Sequence, residues 1–204
     1  MTEITDSHRI KDDIKKAYDD VAGTYLNWTR NTHERRLSYL NIMLQSFHTA
    51  EMSVLELGCG AGVPCTQLLA SRKNTSVTAN DISEAQIALA KELLPQSVNL
   101  IQGDMMELEF GHKQFDAVLA MYSIFHLPRD EQTVILHRIF DWLKPGGSFL
   151  RISLELNLRL LRINLGWGDL GFEVEIDEVV SDLETDNGVS REVPFLWILA
   201  KKSM

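Results

Sequence analysis

Little in this sequence points away from a folded, water-facing domain. Cysteine is scarce, Cys59 and Cys65 being the only two in 204 residues. Two cysteines without nearby histidine pairs make neither a zinc site nor a disulfide framework, so a reducing, cytoplasmic compartment is expected. No apolar run approaches the roughly 20 residues that span a bilayer, which argues against a membrane partner. The N-terminus is charged from Glu3 onward without an apolar core, so no signal peptide is expected. No Lys/Arg cluster is longer than a pair and the formal net charge is -9. A nucleic-acid partner is therefore disfavoured, because phosphate binding leaves a basic footprint. Internal repeats, low-complexity tracts and domain linkers are absent as well.

What remains is an ordinary globular composition, 45% hydrophobic and 24% charged. A chain of this length suits one domain with a full core. We expect residues 1–204 to form that domain, with residues 1–50 as a helical cap and 51–204 as the core. Ile10, Ile14, Ala17, Tyr18 and Val21 fall on one helical face, and Ala22 to Trp28 reads as an aromatic-rich link. Asn31-Thr32-His33-Glu34 resembles a capping box opening a second helix, with Leu37, Leu40, Leu44 and Phe47 inward. These helices are expected over the sheet edge.

From Ser53 strands and helices alternate, which argues for a parallel sheet. Strands are expected at Ser53–Leu57, Ser76–Asn80, Val98–Gln102, Phe115–Met121 and Ser148–Ser153. Helices fall at Val63–Ala70, from Ser83 to near Pro95, and from Asp130 to Leu143. A leucine-rich helix with Arg159 and Arg162 follows over Leu156–Leu165. Phe172–Val180 and Val193–Lys201 then read as two strands joined by a polar, acidic loop.

The organising stretch is Val54-Leu55-Glu56-Leu57-Gly58-Cys59-Gly60-Ala61-Gly62, a strand running into a Gly-x-Gly-x-Gly turn and then a helix. Glycines let the backbone turn tightly and let a nucleotide lie against it. Asp81 follows the second strand, twenty-three residues after Gly58, where an acid can grip ribose hydroxyls. A dinucleotide fingerprint would place glycine at Val63, and no Gly-Lys-Ser/Thr follows as a P-loop needs.

The stretch resembles motif I of the class I S-adenosylmethionine-dependent methyltransferases, whose cofactor carries no phosphate. Asp81-Ile82-Ser83, Gly103-Asp104-Met105 and Leu143-Lys144-Pro145-Gly146-Gly147 match further signals of that family in order, from about Tyr18 to Lys201. The likeness is to its small-molecule branch. It implies an α/β, Rossmann-like seven-stranded sheet in the order 3-2-1-4-5-7-6, last strand antiparallel, with helices on both faces and an N-terminal helical cap. It also implies S-adenosylmethionine as cofactor, S-adenosylhomocysteine as product and a small-molecule acceptor of an O-, N- or C-methyl group.

By this resemblance Gly58 and Gly60 pass the methionine part and Asp81 takes the ribose hydroxyls. Ile82 packs on adenine, Asp104 with Met105 reads the adenine amine, and Met121 stands beside the sulfonium. Glu56 falls at a strand end of the same site, and Tyr25, with Tyr18 and Trp28, can close over the cofactor, since aromatic faces attract a sulfonium. His126, in Tyr122-Ser123-Ile124-Phe125-His126-Leu127, is the candidate catalytic base. For each of these, caps or core packing are the alternative, and for His126 a structural histidine. Strand four ends Ala120-Met121-Tyr122-Ser123, lacking both Asn/Asp-Pro-Pro-Tyr and the acid of metal-dependent catechol-type enzymes, so no metal is expected.

Relatives carry an insertion after strand five that covers the substrate, whereas Ser153 and Phe172 here bound only twenty residues (positions 153 to 172 inclusive). The substrate side is then open, covered by the N-terminal helices, or completed by a second chain in a homodimer. Two other readings compete with the enzyme: a non-catalytic or regulatory protein of this fold, and one using the cofactor as an electrostatic aid.

Overall fold

The computed structural model describes residues 2–47, 51–154, 167–168, 170–186 and 189–204. At its centre lie strands β1 (Met52–Leu57), β2 (Thr75–Asp81), β3 (Asn99–Gln102), β4 (Phe115–Ala120), β5 (Leu143–Leu154), β6 (Phe172–Asp186) and β7 (Val189–Lys202). They form one sheet in the order β3-β2-β1-β4-β5-β7-β6, as expected. The first five run parallel, and β7 is antiparallel to both β5 and β6.

Period-2 alternation sends the apolar residues of the central strands to two cores. Val54, Val77, Ala117 and Leu119 pack under α2 (His33–Gln45), α3 (Cys65–Ser71) and α4 (Glu84–Leu93). Leu55, Leu57, Val118 and Phe149 pack under α5 (Arg129–Trp142). All six residues of β4 are buried, and five are apolar; the sixth, Asp116, accepts from Ser53 N and pairs with Lys144. Each fully buried Leu, Ile or Val contributes about 1.5–3 kcal/mol, so these two layers dominate the stability.

The N-terminal region differs from expectation. Helix α1 (Thr2–Trp28) runs unbroken through Ala22–Trp28, where a link was expected. One internal Gly23 costs a helix only about 1 kcal/mol, and continuing the helix keeps Tyr18, Ala22 and Tyr25 on one inner face. That face is also turned relative to the expected one. Lys11, Ile14, Tyr18 and Tyr25 point inward, while Ile10 and Val21 are 38% and 44% exposed. An inward lysine is stable here because acids meet it (below).

Thr32 does precede α2, but it forms no capping box. Residues Thr29–Thr32 already form a 3-10 turn, and the Thr32 hydroxyl donates back to Thr29 O at 2.8 Å. Helix α2 lies on the face of the sheet rather than over its edge, with Tyr39 stacked on Trp197 of β7 at 4.0 Å between ring centroids. By contrast, Ser83-Glu84-Ala85-Gln86, a capping-box sequence at the start of α4, does form its main bond, Ser83 Oγ accepting from Gln86 N at 3.1 Å.

Three boundaries also shift. Helix α3 begins at Cys65, after Pro64, rather than at Val63. Strand β5 begins at Leu143 and takes in Pro145-Gly146-Gly147 across an irregular register with β4. The acidic segment read as a loop is mostly strand, since β6 and β7 pair out to Asp186↔Val189. The helix expected over Leu156–Leu165, with Arg159 and Arg162, lies outside the described residues. Among the described residues no helix is long and apolar enough to cross a membrane.

Candidate active site

The parallel strands deliver their carboxyl ends to one edge, beside the switch between β1 and β4 where ligands of open sheets bind. The turn after β1 is tied to β2 by Gly58 N and Cys59 N, which donate to Asn80 O at 2.8 and 2.9 Å. Gly58 and Gly60 have φ of +71° and +57°, a region that favours glycine. A Cβ on Gly58 would come within 2.3 Å of Ser123 Cβ, whereas one on Gly60 would meet nothing nearer than Gln86 Oε1 at 3.6 Å. Gly58 thus serves close packing, and Gly60 leaves space on the cleft side.

Asp81, 9% exposed, closes this turn. Its Oδ2 accepts from Gly60 N at 2.8 Å and its Oδ1 from Ser83 N at 2.9 Å. Burial raises its carboxyl above the ordinary range. Each oxygen keeps a second lone pair for a ligand. Ile82, Met105 and Met121 line the same cleft, with Met121 Sδ 3.5 Å from Cys65 Sγ. Asp104 also lines it but is already doubly engaged, accepting from Met106 N at 2.9 Å and pairing with Lys11 Nζ at 2.6 Å. Glu56 stands one layer behind the cleft wall, accepting from Thr66 Oγ1 at 2.5 Å. Burial pushes its carboxyl up to about 7, against the opposing pull of Thr66 and Arg36.

Helix α1 covers the cleft and leaves only about 90 Å3 enclosed. Two latches hold it. Lys11 pairs with Asp104 and with Glu131 of α5, the latter at 3.0 Å. Asp19 reaches the start of α4, where Oδ1 accepts from Ser83 Oγ at 2.6 Å and Ala85 N at 3.1 Å. Burial alone would raise the Asp19 carboxyl, but hydrogen bonds from Lys15, Ser83 and Ala85 hold it down at about 2. Lys11, Asp19 and Arg36 lie on helices outside any sequence motif, and the capping box that ends at Gln86 points to a helix start rather than to the cleft.

His126 ends a 3-10 turn (Ile124–His126) after β4. Its Nε2 lies 2.9 Å from the Tyr18 hydroxyl, and the two rings meet edge to face. Burial pushes the imidazole down to about 4 and the phenol far above its usual range, so both are neutral at pH 7. Nε2 accepts from the phenol when the ring hydrogen is on Nδ1 and donates to it when the hydrogen is on Nε2. Tyr18, Tyr25, Arg36, Tyr122 and His126 also line a second chamber of about 480 Å3. Its far wall is the β6–β7 hairpin, through Asp182, Val193, Pro194 and Phe195. Asp182 locks that hairpin to α2 through Arg35 and accepts from the Tyr122 hydroxyl at 2.7 Å. The N-terminal helices and this hairpin thus share the cover of the chamber.

Polar groups left over in the cleft bear on what it can hold. Asn80 Oδ1, both amide atoms of Gln86, Ser123 Oγ and Arg36 Nε are buried without a hydrogen-bond partner. Such atoms are costly unless a ligand or water meets them. Arg36 lies over the Tyr122 ring at 4.7 Å, whereas Lys11, the other cation in the cleft, is already neutralised. The site therefore offers acceptors for hydroxyls, a guanidinium whose Nε has no partner for a carboxylate, and apolar walls for a flat ring. Among the described residues no cluster of three or more His, Cys, Asp or Glu could hold a metal.

Residues 54–147 match a family model described as a methyltransferase domain. The chain is 32% identical over 139 residues to the malonyl-[acyl-carrier protein] O-methyltransferase of Priestia megaterium, covering 67% of this chain and 49% of that protein. It is 32% identical over 132 residues to a sterol 24-C-methyltransferase of Gibberella zeae, covering 58% and 34% respectively. The chain thus spans about half the length of the first relative and a third of the second. A solved Burkholderia thailandensis 1,6-didemethyltoxoflavin-N1-methyltransferase, with bound 1,6-didemethyltoxoflavin and S-adenosylhomocysteine, superposes with a TM-score of 0.69. That match covers 100% of this chain and 92% of that one at 18% identity.

Proposed function

We propose, for a chain that belongs to the class I S-adenosylmethionine-dependent methyltransferases, that its cleft binds S-adenosylmethionine and its chamber a small-molecule methyl acceptor. The observation that carries this reading is that the two spaces share one wall, made of Tyr18, Tyr25, Arg36, Tyr122 and His126. Donor and acceptor can meet only there.

Asp81 would take the ribose hydroxyls on its free lone pairs, and Ile82 with Met105 would flank the adenine, whose amine faces Asp104. Gly58 and Gly60 would pass the methionine part, and Arg36 would hold its carboxylate. Met121 and Tyr25 would stand near the sulfonium. Glu56 supports this wall from behind. When bound, the cofactor supplies an electrophilic methyl group whose sulfur loses its positive charge on transfer. The chain's own part is to align the acceptor, exclude water by closing α1, and receive a proton.

His126 is suited to receiving that proton only in a concerted way. An imidazole with a pKa of about 4 stays unprotonated at pH 7, and in the tautomer whose Nε2–H donates to the Tyr18 hydroxyl its Nδ1 lone pair is available. It is too weak a base to strip a hydroxyl beforehand, and would share the proton as the new bond to carbon forms. The reading needs no metal ion, and a reducing, cytoplasmic setting goes with it because Cys59 and Cys65 are buried free thiols.

Calorimetric titration with S-adenosylmethionine and S-adenosylhomocysteine tests the reading. Dissociation constants on the order of 1–100 μM are expected, with at least a roughly tenfold loss in Asp81→Ala. A folded wild type that binds neither compound would overturn it.

A further inference from the structure

We infer that the chamber beside His126 selects a planar aromatic acceptor that is uncharged or acidic, and rejects cationic ones. This rests on the proposed function for the word acceptor, but the preference itself comes from the walls. Tyr25 and Trp28 come from α1, Tyr122 and Phe125 from the segment after β4, and Phe195 from β7. Aromatic side chains from three separate elements therefore face one space of about 480 Å3, within the range of small-molecule sites. They already meet one another by tilted and edge contacts, Tyr25 with Trp28 at 5.9 Å and Tyr122 with Phe195 at 5.0 Å between centroids. A flat ring can extend that arrangement by offset or edge contacts that a saturated ring cannot make.

Charge sets the second half of the preference. An aromatic box suits a cation only if its faces are free and an acid stands by. Here Arg36 already lies over the Tyr122 face. The buried acid in the wall, Asp182, is occupied by Arg35 and by the Tyr122 hydroxyl. Arg191 and Glu192 are both exposed at the rim and offset one another. A cationic acceptor would thus find no free buried carboxylate among the described lining residues, Glu192 standing at the exposed rim beside Arg191, and would sit next to a sulfonium donor, whereas a neutral or acidic one meets no such penalty.

Three probes of similar size separate these features: 2-naphthol, decahydro-2-naphthol and 2-naphthyltrimethylammonium. Calorimetry would be run on the whole chain, with and without S-adenosylhomocysteine, whose own binding is measured first. We expect 2-naphthol to bind at least about tenfold more tightly than either of the other two. Phe125→Ala, outside the cofactor cleft, should weaken 2-naphthol about fivefold and leave S-adenosylhomocysteine unaffected. Equal or tighter binding of the saturated or the ammonium probe overturns the inference. So does absence of 2-naphthol binding in protein that does bind S-adenosylhomocysteine. Discrimination among the probes without S-adenosylhomocysteine binding would instead sink the cofactor reading and uphold the chamber's preference.

Discussion

Tyr18 and His126, 108 residues apart in sequence, meet hydroxyl to Nε2 at 2.9 Å on the wall between cleft and chamber. The contact fixes the imidazole's position, and burial of the pair sets its protonation. A histidine depressed from 6.5 to about 4 contributes stability that is present above pH 6.5 and lost as pH falls through 4. His126→Asn should remove that acid-side loss, up to about 3 kcal/mol, from denaturation curves taken between pH 7 and pH 4. Imidazole NMR should show His126 neutral down to about pH 4, and a midpoint near 6.5 would contradict the buried pair.

The Asp19 latch makes a separate prediction. Its carboxylate, borne on α1, satisfies the exposed Ala85 N–H of α4 and the Ser83 hydroxyl, so it does the work of a helix cap from a distant part of the chain. Asp19→Ala should cost about 1 kcal/mol. Amide exchange should quicken along α1 and at the first turn of α4, and not in β1 or β4. Uniform protection across α1 would show that the latch is not what holds this helix down.

The sheet was legible because its cues are local. Short apolar runs bounded by glycine, proline or asparagine mark each strand, and parallel topology then brings Gly58, Asp81, Asp104 and Met121 to one edge. Asp104 shows the limit of such cues. Its capping bond to Met106 N is local, but its ion pair with Lys11 depends on where α1 docks. The same holds for Arg36 and Asp19, whose partners lie across the fold. Helix α1 itself was misjudged in phase because its inner face carries a lysine, which only the acids of two other elements make tolerable.

Gly58 and Gly60 should respond differently to a methyl group, although both have positive φ. Gly58→Ala adds a collision with Ser123 Cβ at 2.3 Å to the backbone strain, and Gly60→Ala meets only the end of Gln86. Losses of about 3 kcal/mol or more at Gly58 and about 1–2 kcal/mol at Gly60 are expected from chemical denaturation. Ser123→Gly should restore part of the Gly58→Ala loss and none of the other, a coupling that a double-mutant cycle reads directly. Additive effects at Gly58 and Ser123 would show that the collision is relieved elsewhere.

Glu56 gives the opposite pH signature to His126. Its carboxyl is raised from 4.5 to about 7, so its contribution is fully present below pH 4.5 and is lost as pH rises through 7. A shift of that size corresponds to about 3 kcal/mol between the two limits. Glu56→Gln keeps an oxygen for the Thr66 hydroxyl and carries no charge to desolvate. The variant should therefore gain stability over the wild type as pH rises from 5 to 8, with the difference levelling off above pH 8. Because Arg36 pulls the carboxylate toward its charged form, Arg36→Met in the wild-type background should raise the Glu56 pKa further and steepen the same loss. A flat difference between wild type and Glu56→Gln across that range would mean that Glu56 is already ionised in the folded protein, with Arg36 compensating it in full.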